Sequence, residues 1–313
     1  MEPGTTPVRS AHPAGGPPRA NLALRGRPIC GLDAPPAPPQ PWRRVLPLPS
    51  KELGRALDVA VDAARAAGEL MRRHRRAPKR VHAASQHDLK LELDVRCQRR
   101  IERRLRAAFP DWGMLGEEGS VRAAAGPRWV VDPIDGTVNF AYGIPHACVS
   151  IALEVPAPDP ARRPVVGVVY DPFCEELWTA RRGQPARLNG RVVRVSERTR
   201  LAEAIVSLGA GKHLRAIGHM VEALAGLVHR VRKLRSMGSA ALALAYVASG
   251  RFDAYAEIGL HWWDIAAGGL LVECAGGRFE VREHPDAGFE LLAHNGRVGA
   301  RLKRLLPRVP PPS

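Results

Sequence analysis

From residue 50 onward, the apolar positions first follow the spacing of an amphipathic helix, with Ser50 as the expected N-cap. The residues on this apolar face are Leu53, Leu57, Ala60, Ala64, Ala67 and Met71. A second helical pattern runs over residues 94–109, and Pro110 ends it because proline lacks the backbone N–H of the next turn. The ordered part of the chain is therefore predicted to begin with two helices.

Short apolar and β-branched runs then predict strands, with further helices between them. The predicted strands are 129–132, 147–153, 165–170, 176–180, 191–195, 204–208, 252–258, 279–281 and 291–293. The further predicted helices are 236–249, 264–275 and 298–306. Asn189 and Gly190 have the composition of a two-residue hairpin turn. Leading helices, then mixed strands and helices without a strict βαβ repeat, predict an α+β or layered α/β fold.

The first 49 residues differ from the rest, because they hold 13 of the chain's 29 prolines and show little periodicity. Such a segment buries too little apolar surface to offset its ordering entropy, so we expect a disordered extension. An organellar transit peptide is the alternative interpretation, since the segment contains arginine and few acidic residues. We expect one catalytic domain over residues 50–308, with halves of about 50–185 and 186–308.

The composition of the 313 residues, 45% hydrophobic and 25% charged, excludes a fully disordered or fibrous chain. The longest uncharged apolar stretch, residues 236–250, is shorter than the roughly 20 residues that span a bilayer, so we expect no membrane segment. Five scattered cysteines without zinc-ligand spacing favour reduced thiols and a cytoplasmic protein.

The net charge of +16 raises the prospect of a nucleic-acid partner. One face of the second predicted helix carries Arg96, Arg99, Arg100, Arg103, Arg104 and Arg106. Such a row of arginines fits either a stripe that follows phosphates or a solvated helix face. The charge therefore leaves both interpretations open, and the solvated face is favoured.

Three acidic segments carry the candidate chemistry: Gly116-Glu117-Glu118-Gly119, Asp132-Pro133-Ile134-Asp135-Gly136-Thr137 and Trp263-Asp264. In the second segment a strand ends at Asp132, and Gly136 permits a tight turn with outward N–H groups. Asp132 and Asp135 can converge there, and two neighbouring carboxylates repel unless a cation or a proton intervenes. Carboxylates, a carbonyl and waters suit Mg²⁺, and donors of Gly136 and Thr137 would suit a phosphate oxygen. By itself the segment also fits an ordinary acidic turn.

Taken together, the motifs are more specific than any one of them. The chain resembles the inositol monophosphatase family in three segments: WVVDPIDGTVNF, the upstream GEEG and the downstream WWDIAAGGLLVECAGG. This family belongs to the lithium-sensitive, metal-dependent phosphomonoesterases. The resemblance spans residues 50–306 and implies the α-β-α-β-α sandwich of the sugar phosphatases, including fructose-1,6-bisphosphatase. It also implies hydrolysis of a small phosphate monoester by metal-activated water, which needs no side-chain nucleophile.

The resemblance assigns roles to the residues at matching positions. The implied metal ligands, for two or three Mg²⁺ ions, are Glu117, Asp132, the carbonyl of Ile134, Asp135 and Asp264. The implied catalytic residues are Asp94, Glu117 and Thr137, with Asp94 and Thr137 orienting the attacking water. The implied substrate contacts are Asp135, the amides of Gly136 and Thr137, the segment Gly238, Ser239 and Ala240, and Glu257.

Three of these residues also have a structural interpretation. Asp94 and Asp264 each lie where a predicted helix begins, and aspartate is favoured there because it accepts from unpaired N–H groups. Glu257 lies at the end of a predicted strand and could be a surface carboxylate. We expect Glu118, beside the implied ligand Glu117, not to be a ligand.

The resemblance is greatest to the branch that converts inositol 1-phosphate to inositol and phosphate. Histidinol phosphate, 3′-phosphoadenosine 5′-phosphate and sugar phosphates are the alternative substrates, because Ala210 stands where family members often have serine. The segment AASQHDLKLELD also lacks a lysine that many members carry. The family further implies a homodimer. The competing class is a basic module that binds RNA or a transcription complex without catalysis, since some bacterial relatives associate with RNA-polymerase assemblies.

Overall fold

The computed structural model describes residues 48–77, 81–85, 88–119, 121–122, 125–156, 162–209, 214–284 and 288–307. The expectation of disorder for the N-terminal extension concerns residues that lie, apart from Leu48 and Pro49, outside these ranges. Among the described residues, no helix is both long and apolar enough to cross a membrane.

Seven α-helices form in the described part of the chain. They are α1 (Ser50–His74), α2 (Glu92–Ala108), α3 (Thr137–Ala141), α4 (Leu214–Leu227), α5 (Ala240–Ala248), α6 (Trp262–Cys274) and α7 (Gly299–Lys303). The two leading helices and the three later ones are confirmed, whereas α3 and α4 were not predicted. Ser50 is the first helical residue and Pro49 takes the N-cap position, so the predicted cap was wrong by one residue.

The strands form three sheets. A small antiparallel pair consists of β1 (Val81–Ser85) and β2 (Asp88–Leu91). The first large sheet contains β3 (Gly113–Gly116), β4 (Val121–Arg122), β5 (Arg128–Asp135), β6 (Cys148–Pro156), β7 (Arg162–Asp171), β8 (Glu176–Arg181), β9 (Arg187–Leu188) and β10 (Arg191–Val192). The second contains β11 (Ile205–Leu208), β12 (Lys233–Arg235), β13 (Ala254–Leu260), β14 (Arg278–His284) and β15 (Gly288–His294).

The two large sheets are mixed. The first has the order β10-β9-β8-β7-β6-β5-β3-β4 and is antiparallel except where β3 and β5 run parallel. The second has the order β12-β11-β13-β15-β14, with β11 parallel to both β12 and β13. Because the first sheet continues to Val192, its last strands extend past residue 185, where we placed the division between the two halves.

Three apolar clusters hold the chain in layers. Helices α1 and α2 pack on one face of the first sheet, through side chains such as Met71, Leu105 and Val131. Helices α5 and α6 lie between the first sheet and the second. Helices α4 and α7 cover the far face of the second sheet. The resulting order, helices–sheet–helices–sheet–helices, confirms the predicted layered α/β sandwich.

The central helix α5 shows why these residues form this layer. All of its residues except Tyr246 are buried, because sheets lie on both sides and an Ala/Leu-rich helix exposes no polar face to either. The helix starts at Ala240 instead of the predicted residue 236. Ser239 is extended and its hydroxyl accepts a hydrogen bond from the Leu242 N–H, so it caps the helix.

Candidate functional site

The site is built around the carboxyl end of β5. This strand pairs with β6, and the register shifts between Asp132 and Asp135, where Pro133 supplies no donor. Gly136 then adopts a φ of 91°, and α3 begins at the next residue. The predicted strand and glycine turn are confirmed, although β5 continues to Asp135 instead of ending at Asp132. Asp132 and Asp135 therefore both lie at the carboxyl end of β5.

Asp132 is the centre of an acidic cluster. Its side chain is 2% exposed, and its Oδ1 accepts from the Ile134 N–H at 3.0 Å. Burial raises the pKa of Asp132 well above its usual value, and the nearby charges of Glu117, Asp135 and Asp264 raise it further. The structure therefore brings together the four carboxylates that the sequence analysis selected as metal ligands.

Asp135 links this cluster to the central helix α5. Its Oδ2 accepts from the Ser239 hydroxyl and from the Ala241 N–H at 2.7 Å, and its Oδ1 accepts from the Ala240 N–H at 3.2 Å. Burial raises the pKa of Asp135 above its usual value, and the three hydrogen bonds offset only part of this rise. Two of the predicted substrate contacts, Ser239 and Ala240, are thus held against Asp135. Oδ1, with one long hydrogen bond, keeps the greater capacity for another ligand.

Asp94 and Asp264 occupy equivalent places on two different helices. Each is the third residue of its helix, and each Oδ2 accepts from the N-cap backbone at 2.7 Å, from Leu91 and His261 respectively. Each carboxylate therefore caps its helix from the third helical position, whereas Leu91 and His261 take the N-cap positions themselves. Burial and the charge of Asp135 raise the pKa of Asp264 well above its usual value. Capping fixes the direction of each carboxylate.

Thr137 lies at the first position of α3, where it closes the turn. Its hydroxyl donates to the carbonyl of Ile134 at 2.9 Å. The hydroxyl and the carbonyl that the sequence analysis selected are therefore in direct contact. Phe140 N–H donates to the carbonyl of Gly136 at 3.0 Å, which fixes the first turn of α3 behind the cradle formed by the Gly136 and Thr137 amides.

Asn139 is a residue to which the sequence analysis gave no role. Its side-chain amide donates to the carbonyls of His146 at 2.9 Å, Met237 at 2.8 Å and Gly238 at 3.3 Å. It therefore joins the start of α3 to the loop that precedes α5. Its place four residues after Asp135 in the DGTVNF segment was the available signal, but two of its three partners, Met237 and Gly238, lie 98 and 99 residues away.

Glu257 lies on β13, beside the acidic cluster. Its carboxylate accepts a hydrogen bond from the Tyr255 hydroxyl. Burial raises the pKa of Glu257 to about 7, the Tyr255 hydrogen bond lowers it in opposition, and the charge of Asp135 raises it. Glu257 is therefore a half-buried carboxylate that faces the site, in contrast to the surface interpretation. Ala210, named for substrate choice, lies outside the described residues.

Comparison with known proteins identifies the architecture that holds this site. The family model described as the inositol monophosphatase family matches residues 52–309. The chain belongs to the inositol monophosphatase family. Members of this family are generally metal-dependent phosphatases of small phosphate monoesters.

The relatives of this chain have two kinds of name, SuhB and inositol monophosphatase. A "Nus factor SuhB" of Xylella fastidiosa (strain Temecula1) is 41% identical over 263 residues, covering 80% of this chain and 94% of the relative. "Inositol monophosphatase 2" of Solanum lycopersicum is 41% identical over 256 residues, covering 78% and 92%. The solved extragenic suppressor protein suhB from Bartonella henselae has a TM-score of 0.74 and 36% identity, covering 81% and 99%. The likeness supports the same sandwich fold, and the match to the family model begins at residue 52 of this chain.

The cradle yields a first prediction, a Gly136→Ala variant. A Cβ at this position would lie 2.9 Å from the His146 carbonyl oxygen and 3.2 Å from that of Gly238. This close approach and the strain of a positive φ should lower the free energy of unfolding by about 1–3 kcal/mol. They should also lower kcat/KM by about 10- to 100-fold. Urea unfolding and steady-state phosphate release measure the two effects.

The matched control is Gly143→Ala, since Gly143 has a φ of 77° but no atom within 4 Å of the added Cβ. This control carries the backbone strain without the collision, and we expect its kcat/KM to match the wild type. Equal kinetic losses in both variants would show that the close approach at Gly136 has no part in activity.

Proposed function

We propose that the protein hydrolyses a small phosphate monoester with Mg²⁺, and that inositol 1-phosphate is its foremost substrate. The observation that carries the proposal is an acidic cluster next to the turn of Gly136 and Thr137. Asp132 and Asp135 are buried in this cluster, and Glu117 and Asp264 are half-buried. Carboxylates at this density need positive charge, and a phosphate next to them needs it as well. A divalent cation between them meets both needs.

The donor set fits such a cation. Glu117 and Asp132 hydrogen bond through their side chains, and two carboxyl groups can do so only when one of them carries a proton. A cation between the two oxygens would supply the same neutralisation at neutral pH. Among the described residues, no three acidic, histidine or cysteine side chains are already spaced to hold a metal ion. Binding would therefore draw these carboxylates closer together.

Each residue then has a defined role in the proposed reaction. Glu117, Asp132, the Ile134 carbonyl, Asp135 and Asp264 would hold two or three Mg²⁺ ions, which when bound neutralise phosphoryl charge and acidify water. The Gly136 and Thr137 amides bind the phosphate at the start of α3. Asp94 and the Thr137 hydroxyl orient the attacking water, which displaces the alcohol in line. Glu257 and the 238–240 loop contact the alcohol.

The test is phosphate release by the purified full chain. We expect release from inositol 1-phosphate that requires Mg²⁺, stops with a chelator, returns with excess Mg²⁺ and is inhibited by Li⁺. Histidinol phosphate, 3′-phosphoadenosine 5′-phosphate and fructose 1,6-bisphosphate are assayed in parallel, and a higher kcat/KM for one of these would replace the substrate and keep the reaction. Release that is indifferent to the chelator, or none from any ester, would contradict the proposal.

A second candidate function is binding of RNA or a transcription complex. It is favoured by the exposed row of Arg96, Arg99, Arg103 and Arg106 along α2, and by the Nus factor name of a relative. A gel-shift assay tests this candidate. It would be favoured if the protein binds RNA with an affinity that falls steeply with salt concentration and shows no phosphatase activity. We further propose a cytoplasmic homodimer, for which light scattering after gel filtration gives the mass.

A further inference from the structure

The carboxyl group of Glu257 lies directly against the backbone of Gly209. A Cβ built on Gly209 would fall 1.6 Å from Glu257 Oε2 and 2.1 Å from its Cδ. Gly209 cannot move away, because it follows β11 directly and its N–H donates to the Ala256 carbonyl at 3.0 Å. Only a residue without a side chain leaves room for this carboxyl group.

Tyr255 contacts the same carboxyl group from the same strand. It is two residues before Glu257 on β13, so the two side chains point to the same face of the sheet. The Tyr255 hydroxyl donates to Glu257 Oε2. The ring is 2% exposed and is flanked by Ser207 of β11 and Ala293 of β15 in the register of the sheet. The hydroxyl is therefore held in one position, and Oε1 is the oxygen not engaged by it.

We propose that Tyr255 and Gly209 are positioning residues that aim the Glu257 carboxylate at free hydroxyl groups of the substrate alcohol. The inference rests on the proposed function, in which Glu257 contacts the alcohol, and goes beyond it by assigning positioning roles to Tyr255 and Gly209. A carboxylate is an acceptor only, so it recognises hydroxyl donors and gives no binding energy to an alcohol that lacks them. A site built to bond a hydroxyl discriminates strongly against the analogue without it.

The experiment compares two esters in the Tyr255→Phe variant. Inositol 1-phosphate carries free hydroxyls, whereas phenyl phosphate has none and uses only the metal and phosphate parts of the site. Loss of one hydrogen bond to a charged group is expected to raise KM for inositol 1-phosphate about tenfold. The kcat for both esters, and KM for phenyl phosphate, should match the wild type. A Gly209→Ala variant should show the same substrate dependence.

The matched control is Tyr170→Phe. The Tyr170 hydroxyl donates to Glu175 Oε2 at 3.1 Å. Like Tyr255, Tyr170 is a buried tyrosine that donates to a glutamate, but it packs against α1. This control should leave both esters unaffected. Equal losses for the two esters in Tyr255→Phe, or no change for either, would overturn the positioning role.

Failure of the proposed function has a separate signature. If the wild type releases phosphate from neither ester, calorimetric titration with inositol 1-phosphate in Mg²⁺ replaces the assay. A Kd about tenfold weaker in Tyr255→Phe than in the wild type would then support the positioning role without phosphatase activity. An equal Kd, or no binding by the wild type, would overturn it.

Discussion

An Asp132→Asn variant should fold normally and lose phosphate release by about a thousandfold or more, because several kcal/mol of charge stabilisation depend on this one carboxylate. Asp132 lies at the centre of the acidic cluster, with Glu117, Asp135 and Asp264 all acting on its pKa. An amide keeps the shape of the side chain and can still accept from the Ile134 N–H, but it contributes no charge to hold a cation. Initial rates at saturating Mg²⁺ and inositol 1-phosphate measure the loss.

The control for this variant is Glu118→Gln. Glu118 follows directly after Glu117, whereas the neighbouring charges that raise the pKa of Asp132 most are those of Glu117, Asp135 and Asp264. We expect its activity to stay within a few-fold of the wild type, as for a substitution that leaves the reacting groups in place. Full activity in Asp132→Asn would contradict metal-assisted hydrolysis at this site, and a large loss in Glu118→Gln would mean that the cluster extends further than proposed.

Thermal unfolding separates a loss of chemistry from a loss of fold. Without added metal, the Asp132→Asn protein should unfold at the same or a higher temperature than the wild type. The reason is that the amide cannot ionise, whereas burial and three neighbouring carboxylates oppose the ionisation of the Asp132 carboxyl group. Added Mg²⁺ should raise the unfolding temperature of the wild type more than that of the variant, because a ligand that binds only the folded state stabilises it.

The parts of the site that form within one short segment could be predicted from the sequence, because each acidic motif lies where one helix or strand ends and another begins. Strand β5 followed by a glycine turn is a pattern within eight residues, and it predicted the position of Asp132 and Gly136. The helix-start positions of Asp94 and Asp264 were equally visible. Their capping contact and their proposed chemistry were posed as alternatives, but the structure shows that capping uses one oxygen of each carboxylate. The two interpretations are compatible.

The parts of the site that could not be predicted from the sequence depend on contacts between segments that are far apart in the chain. The three donors to Asp135 from the start of α5 are 104, 105 and 106 residues away. No local pattern predicts that Asp135, in the second acidic segment, would accept hydrogen bonds from the start of the central helix α5. The same holds for the close approach of Glu257 to Gly209, which only the parallel pairing of β11 and β13 creates.

Helix α4 shows a different reason for a missed prediction. Its Leu214, Ile217, Leu224 and Leu227 follow helical spacing, but Gly218 and Gly226 interrupt the pattern and no capping residue marks its start. Its stability comes from packing, since Ala223 and Leu227 are buried against Val206 and Leu208 of the second sheet. Tertiary contacts therefore supply what local propensity lacks, as they do for most helices of modest length.

The connection between the two large sheets depends on one buried carboxylate. The chain passes from β10 to β11 through an irregular segment, and Asp253 accepts from three groups in it or next to it. These donors are the Ser196 hydroxyl, the Arg198 guanidinium at 2.8 and 3.0 Å, and the Ile205 N–H at 2.7 Å. Asp253 itself is fully buried, whereas Arg198 is 37% exposed. Its position before β13 fixes the segment to the second sheet.

An Asp253→Asn variant should therefore lose about 3 kcal/mol in the free energy of unfolding and about 6–12 °C in Tm, because it leaves Arg198 uncompensated and turns a donor toward other donors. Urea unfolding and calorimetry measure these losses, and kcat at 25 °C should be unchanged because none of the partners belongs to the acidic cluster. Glu203→Gln is the control, since its pair with Arg200 is exposed, and its Tm should equal that of the wild type. Equal stability of Asp253→Asn and the wild type would show that this ion pair does not hold the two sheets together.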